Sequence, residues 1–348
     1  MAELISRDAL AAGMIGKEVV KQFQVGGEMH RVKVKFTGNG APTRYNKPLG
    51  ELDTPADLYD FIQKSVIDMT KGLAENPLLY KDIYREVNDP TLTRHIDVKE
   101  FTGVSMAFAD LLPGESVPLA DFKTGDKSTA EIVTYGTGYA ITRDWIAYNE
   151  AYRVAQAQRM LGYAFNAMLN NIYLGPIIAG TYTETKTTAA DATENATERE
   201  LVRRSLWKAI IDAMERKHPV TTQALRPTIA LANSVTAFRI ADVINNRLVE
   251  KGSEYAPLSQ IQKIIAYDGA TITVAGKVYT YAGPSDNKVY LIQPKEGFVE
   301  LIKEDLTALV QAGDIMRLAA EERVWEFMRG VIADTANYVH EANIPALT

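Results

Sequence analysis

The feature that most restricts the fold is a run of 24 residues, Met160 to Thr183, without one charged side chain. An apolar helix of ~20 residues can cross a bilayer, so the run is long enough. Its contents argue otherwise, because Asn166, Asn170 and Asn171 sit near its middle, among Gly162, Gly175 and Pro176. Three amides there would be costly in lipid, whereas inside a protein they find partners. Val154, Ala157, Leu161, Phe165, Met168 and Ile172 recur at the three-to-four spacing of an apolar helix stripe. The pattern predicts a helix from Asp144 to Leu174, ended by Pro176 and Gly180, with Tyr152, Tyr163 and Tyr173 widening its apolar face. At ~1.5 Å per residue it spans ~40 Å or more. Such a helix belongs at the centre of a protein.

The chain has 348 residues, which at ~100–200 residues per domain predicts two or three compact units. With 46% hydrophobic and 24% charged residues it is neither disordered nor a coiled coil. The net charge of -6 gives bulk electrostatics no part in binding nucleic acid or an anionic membrane. There are no cysteines, which excludes disulfide scaffolds, thiolate metal sites and cysteine nucleophiles and fits a reducing compartment. Glu3, Arg7 and Asp8 within Met1 to Ile15 speak against a signal peptide.

Residues 1–100 read as a semi-independent prelude. Ser6 is placed to cap a short helix through about Phe23. Val32, Val34 and Phe36 alternate with Arg31, Lys33 and Lys35, which predicts a strand with a basic outer face. No wider basic patch surrounds it, so the expected role is a solvated face. Thr37 to Gly50 is loop-like, and Thr54-Pro55 starts a helix carrying Leu58, Phe61, Ile62 and Ile67. From Gly103 to Thr142 the chain turns extended, punctuated by Pro113-Gly114, Pro118 and Thr124-Gly125-Asp126-Lys127. The last of these, between Val117–Phe122 and Ile132–Ile141, reads as the tip of a long hairpin. A two-stranded ribbon alone is marginal in water. Its apolar material is little more than Leu119, Phe122, Ile132 and Val133, so its support is expected from another chain.

Thr181 to Thr197, with seven threonines, reads as an exposed loop. A compact α/β stretch follows. It comprises a helix over Glu198–Lys217 with Val202, Leu206, Ile210 and Met214 on one face, and a strand at Pro227–Ala232. Then come a helix capped by Ser234 and running through Lys251, a strand at Ile261–Tyr267, and a hairpin of Ile272–Ala275 with Val278–Tyr281. Strands at Val289–Ile292 and Phe298–Ile302 end the stretch. From Ile315 to Ile344, residues including Trp325, Phe327 and Val331 read as long strands returning to pack on the central helix.

Chemistry is sparse. His30, His95, His218 and His340 are far apart and have no metal-ligand spacing. Gly136-Thr-Gly138 lacks the third glycine and the helix start of a dinucleotide site. Ser205-Leu-Trp-Lys208, Ser285-Asp286-Asn287 and Lys123-Thr-Gly125 match the three elements of penicillin-recognising serine enzymes. The Lys-Thr-Gly element comes first where it should come last, and Ser205 lies inside a helix, so the match is a coincidence. Glu321-Glu322 are neighbours on a strand and point to opposite faces, so they share no site. No catalytic residue, cofactor-binding site or metal site is expected, and the chain reads as one that works by shape. An α/β enzyme with a swapped hairpin is the reading from another class, and it would need a convergent polar pocket.

The order of these parts resembles the major capsid proteins of tailed bacteriophages, the Hong Kong 97 type of fold. The likeness covers roughly 101–348 and rests on architecture. The extended loop corresponds to about 103–140, and Ala140-Ile-Thr-Arg-Asp-Trp145 leads into a spine helix at 148–174. Pro227-Thr-Ile-Ala-Leu-Ala-Asn233 with the helix after it resembles the axial domain. Arg317-Leu-Ala-Ala-Glu-Glu-Arg323 through Val331 to Pro345 resembles the closing strands.

The resemblance implies an α+β chain with an N-terminal arm and helical segment (1–100), an extended two-stranded loop (101–142), and a peripheral domain with the spine helix (143–200). An axial α/β domain (201–313) and strands returning to the peripheral domain (314–348) complete it. It implies a shell protein found in the virion, and in the host cytoplasm during assembly. Its partners would be itself in hexamers and pentamers, scaffolding, portal and decoration proteins, and packaged double-stranded DNA by non-specific contact, with no membrane. Phe122, Lys123, Lys127, Arg143 and Trp145 are the candidate intersubunit contacts. Some members join subunits by a lysine–asparagine bond promoted by a glutamate. Lys123 and Lys127 lie where that lysine sits, and Glu321 or Glu322 stands for the glutamate. No asparagine occurs between Asn287 and Asn337, where the partner is expected, so the resemblance implies a shell held non-covalently. The alternative is an encapsulin-type compartment, which resembles the same fold and encloses a cargo enzyme.

Overall fold

The computed structural model describes residues 18–25, 28–35, 68–102, 123–142, 144, 148, 151–194, 196–218, 223–246, 248–250, 253–274, 277–312 and 319–346. Its axis is α1, Ala151–Ile178. The helix runs through Pro176 instead of stopping before it, because a proline in the last turn forfeits only one helical hydrogen bond. The end carbonyls find other donors: the Tyr182 hydroxyl donates to Ile177 O at 2.6 Å and the Tyr290 hydroxyl to Ile178 O at 3.4 Å. Ahead of α1 Asp144 is helical as well, and its carbonyl accepts from Tyr148 N at 2.9 Å.

Behind the C-terminal half of α1 lies a five-stranded sheet. It is built from β6 (Thr187–Thr188), β7 (Ile229–Ala232), β10 (Lys263–Ala266), β13 (Lys288–Ile292) and β16 (Val339–Asn343), in the order β10-β7-β13-β16-β6. Its middle strands β7 and β13 are short, largely apolar runs because both faces are covered. In β7, Ile229 and Leu231 face the core shared with Leu169, Tyr173 and Ile177 of α1. Ala230 and Ala232 face the other way, onto α2 (Glu198–Glu215) and α3 (Ser234–Asn245), among Leu206, Ile210, Ile240 and Val243. Val289 and Leu291 of β13 alternate with Tyr290 and Ile292 in the same manner.

The second sheet has seven strands: β1 (Glu18–Val25), β2 (Glu28–Lys35), β3 (Arg85–Asn88), β4 (His95–Thr102), β5 (Lys123–Thr142), β14 (Phe298–Ala312) and β15 (Ala319–Ala333). The order is β2-β1-β14-β15-β5-β4, and β3 lies parallel to the first part of β14 while β1 lies parallel to its last part. Tyr135, Trp325 and Phe327 on this sheet meet Leu161 and Phe165 of α1, with Phe165 edge-on to Phe327 at 5.0 Å between ring centres. Two small hairpins complete the chain, β8 (Leu248–Glu250) with β9 (Ser253–Tyr255) and β11 (Gly269–Val274) with β12 (Lys277–Ala282).

Several sequence expectations need correction. Residues 18–23 are strand, paired along their length with β2, and not the end of a helix capped by Ser6. Thr124-Gly125-Asp126-Lys127 is no hairpin tip: it lies inside β5, where Thr124 pairs with Phe101 and Lys127 with Lys99. A turn-forming tetrapeptide is read as strand here because a partner strand satisfies its backbone. The helix after β7 is capped by Asn233, whose side chain accepts from Thr236 N at 2.8 Å, and it ends at Asn245, before the strand at Leu248. Met214 is exposed, and Ala213 takes the buried position. Thr188 in the threonine-rich loop is buried as part of β6. Phe298–Ile302 pairs with β15 in the long sheet, while Val339–Asn343 returns to the compact one. The helix expected from Thr54, the loop over 37–50 and the turns at Pro113 and Pro118 lie outside the described residues.

Candidate assembly surfaces

Two of the three asparagines of α1 are clamps. Asn166 Nδ2 donates to Leu73 O at 2.9 Å and to Asn76 O at 2.7 Å. Asn170 Nδ2 donates to Pro77 O at 3.0 Å, and its Oδ1 accepts from Leu79 N at 2.9 Å. They hold a strap, residues 68–88, whose first turns are helical over 68–75. Backbones touch where strap and helix cross: a Cβ added at Gly162 would fall inside Met69 O, and one at Gly72 inside Arg159 O. Further on, Tyr80 stacks on Tyr173 at 4.1 Å, and Tyr84 donates to Tyr173 O at 2.7 Å. Glu300 of β14 is wholly buried beneath them. It accepts from the Tyr80 hydroxyl at 2.9 Å and from Lys81 Nζ at 2.7 Å, with Arg329 Nη1 3.7 Å away. Burial, and then the Glu300 charge, push the Tyr80 phenol far above its ordinary pKa, so it serves as a hydrogen-bond donor. The strap thus joins α1 to the long sheet through its own side chains.

From this anchored sheet a ribbon projects. β5 pairs with β15 from Thr142 to Ile132, and its remaining part, Lys123 to Glu131, pairs with β4. At ~3.3 Å per residue the ribbon is about 30 Å long. Lys123 lies opposite Thr102 and Lys127 opposite Lys99, both on this ribbon. Phe122, Arg143 and Trp145 lie outside the described residues. Glu321 and Glu322 are consecutive in β15, opposite Ile141 and Ala140, as neighbours on a strand must be.

Other polar groups that the sequence drew attention to make contacts within the fold. Ser205 Oγ donates to Leu201 O at 2.8 Å and accepts from Asp191 N at 2.8 Å, so its hydroxyl proton points at a helix carbonyl and away from Lys208. Asp286 accepts from Asn233 Nδ2 at 2.6 Å, and Asn287 sits at a turn with φ of 63°. His340 is buried between β6 and α2. Thr188 Oγ1 donates to Asp212 Oδ2 at 2.6 Å and lies 2.8 Å from His340 Nε2, so Nε2 carries the proton it donates to Thr188. Nδ1 then faces Arg216 Nη1 at 3.4 Å as an acceptor. Burial, and then the Arg216 charge, pull the imidazole down to about 4. Among the described residues no group of three His, Asp or Glu is placed to hold a metal ion, and no helix is long and apolar enough to cross a membrane.

Two apolar recesses stand out among the described residues. One, of about 300 Å³, lies under the β11–β12 hairpin between Tyr135, Phe165, Trp325, Tyr279 and Tyr281. The other is an open groove between α2 and α3, beside Phe238, a residue the sequence pattern did not single out. Its signal was available: Val235 and Phe238 are three apart on α3, off the face formed by Ala237, Ile240 and Ile244.

No protein-family model matches the chain, and no curated protein matches it in sequence. Solved structures do match in fold. A virus-like particle from Pyrococcus furiosus shares 11% identity at a TM-score of 0.50, covering 80% of this chain and 97% of that one. The mature capsid of bacteriophage PhiM1 shares 11% at 0.52, covering 78% and 88%. The capsid of Myoviridae Phage XM1 shares 10% at 0.52, covering 77% and 92%. A spine helix, a strand-and-helix unit at one end and a ribbon leaving a long sheet at the other are the arrangement of the tailed-phage major capsid proteins, and the chain has their Hong Kong 97-type fold.

Proposed function

We propose that this chain is the structural major capsid protein of a tailed phage, which assembles through copies of itself into an icosahedral shell around double-stranded DNA. The observation that carries the reading is the ribbon. Lys123–Glu131 and His95–Thr102 pair with each other beyond the point where β15 ends its pairing with β5. A two-stranded ribbon is marginal in water on its own, and in a shell its support is the surface of a neighbouring subunit. Several moderate contacts per subunit, each weak alone, add up to a closed particle. The mildly acidic charge suits the inside of a DNA container, where a strongly basic lining would hold the genome too tightly.

In this reading the chain performs no catalysis. Its partners are itself in pentamers and hexamers and the scaffolding, portal and decoration proteins of a head, in the host cytoplasm and then the virion. The contacts are non-covalent. Particles sedimented from the native source and treated with DNase test the assignment. Protected double-stranded DNA inside them, with one band at 38.5 kDa after boiling in SDS, is the expected result. A protein cargo in place of DNA would instead make the chain an encapsulin-type compartment shell, and a ladder of heavier bands would refute the non-covalent contacts.

A further inference from the structure

The recess under the β11–β12 hairpin is a space that the subunit's own side chains surround and leave unfilled. Its volume is about 300 Å³, whereas folded interiors rarely keep gaps larger than a water molecule. Three elements wall it: the long sheet, α1 and the hairpin. On the sheet side Tyr135 stacks on Phe327 and Tyr139 on Trp325, each at 5.2 Å between ring centres. Thr137 lies between the two tyrosines on β5, opposite Trp325. Its short side chain leaves a gap where a third aromatic would close the row. Ala164 leaves the matching gap on α1, between Leu161 and Met168.

The roof is held clear of that space. At the base of the hairpin its two strands touch backbone to backbone: a Cβ added at Gly269 would fall on Tyr281 O, and one at Gly283 on Asp268 O. Gly269 also has a φ of 78°, a conformation open to glycine and strained for other residues. The hairpin thus leaves the compact sheet in a set direction, with Ile272, Tyr279 and Tyr281 over the recess. A preformed site loses little order when it is filled.

The chemistry of the walls names the occupant. A dry apolar cavity of ~150 Å³ already takes up a benzene ring, and this recess is larger and lined mainly by aromatic and aliphatic side chains. It is too narrow for a helix, which is ~10 Å across. Beside its mouth Lys277 Nζ lies 5.0 Å from the ring centre of the exposed Tyr279. Among the described residues no acidic group pairs with that ammonium. We propose that the recess binds a small molecule with a flat, ring-built apolar body and one acidic group. The body lies under the hairpin against Trp325 and Phe327, and the acid meets Lys277. The site stands independently of the shell reading.

The test uses the full chain and a matched pair of fluorescent probes, N-phenyl-naphthylamine and its sulfonated counterpart, anilinonaphthalene sulfonate. Both are expected to fill one saturable site per chain, the sulfonate ~3-fold more tightly because it meets an exposed lysine. Lys277→Gln is expected to abolish that preference. Ala164→Phe occupies the recess from the helix, and Thr137→Phe from the sheet, at an exposed strand position that suits an aromatic. Each is expected to weaken both probes at least ~10-fold at an unchanged thermal midpoint. Binding unchanged in Ala164→Phe and Thr137→Phe, or absent in the wild type, would overturn the site. Equal affinity for the two probes would overturn the acidic group. Neither result touches the shell reading.

Discussion

The two sheets of this molecule solve opposite problems. The compact sheet has strands of two to five residues, covered by α1 on one side and by α2 and α3 on the other. Its core on the α1 side continues into the long sheet through Phe298 and Phe327. The long sheet has strands of up to 20 residues drawn from four distant stretches of chain, and one of its margins runs out into the ribbon. In the proposed function it is the framework for contacts outside the subunit. The difference teaches how one core along α1 can carry both a sheet closed on two faces and a sheet that runs out into a ribbon. What joins the halves is α1 with the strap across it.

The strongest way to break that division is at the junction. Gly162→Val puts a side chain where Met69 O already lies, and no flexible group is there to give way. We expect a loss above ~4 kcal/mol, the range of severe overpacking and broken buried networks, seen as no soluble protein on expression. Within the compact sheet, Leu231→Ala removes a fully buried side chain and is expected to cost ~2–5 kcal/mol in urea unfolding.

Acid separates the halves by another route. The unfolded chain protonates a histidine near pH 6.5, whereas His340 in the folded chain resists until about 4. The unfolded state therefore binds more protons between those values. Stability is full above pH 6.5, falls on acidification through that window by about 3 kcal/mol, and His340 contributes no further loss below it. In His340→Gln the slope of unfolding free energy against pH is expected to flatten over the same window. An unchanged slope would place the acid sensitivity elsewhere. The smallest effect belongs to the long sheet: Val324→Ser, on an exposed position of β15, is expected to move subunit stability by less than ~0.5 kcal/mol. A drop as large as that of Leu231→Ala would mean that this exposed position of β15 also supports the subunit's core.

What was legible in the sequence follows the same division. The spine helix, α2, β7, β13 and the β11–β12 hairpin were readable because each is fixed by local periodicity and each pairs close in sequence or packs on a neighbour. The long sheet was legible only in part: the strand around Arg31–Lys35 and the returning strand with Trp325 and Phe327 could be read, but not which strands they pair with. β1 pairs with β14 nearly 290 positions away, a parallel pairing that no local pattern records. The segment Thr124–Lys127 has turn composition, yet β4 provides it with a strand partner, and tertiary pairing overrides propensity. Asn166 and Asn170 were legible as amides needing partners, though which carbonyls they hold became visible only with the strap in place. Phe238 escaped notice because a phenylalanine on a helix reads as core until the other side of the helix proves to be the buried one.

The most direct test of the whole account is negative-stain electron microscopy of the purified recombinant chain, with light scattering on the same sample, alone and with its native scaffold. The account predicts closed shells, or rings of five and six subunits, built from an intact 38.5 kDa chain. A protein that stays monomeric under both conditions, with the ribbon stable in isolation, would contradict it.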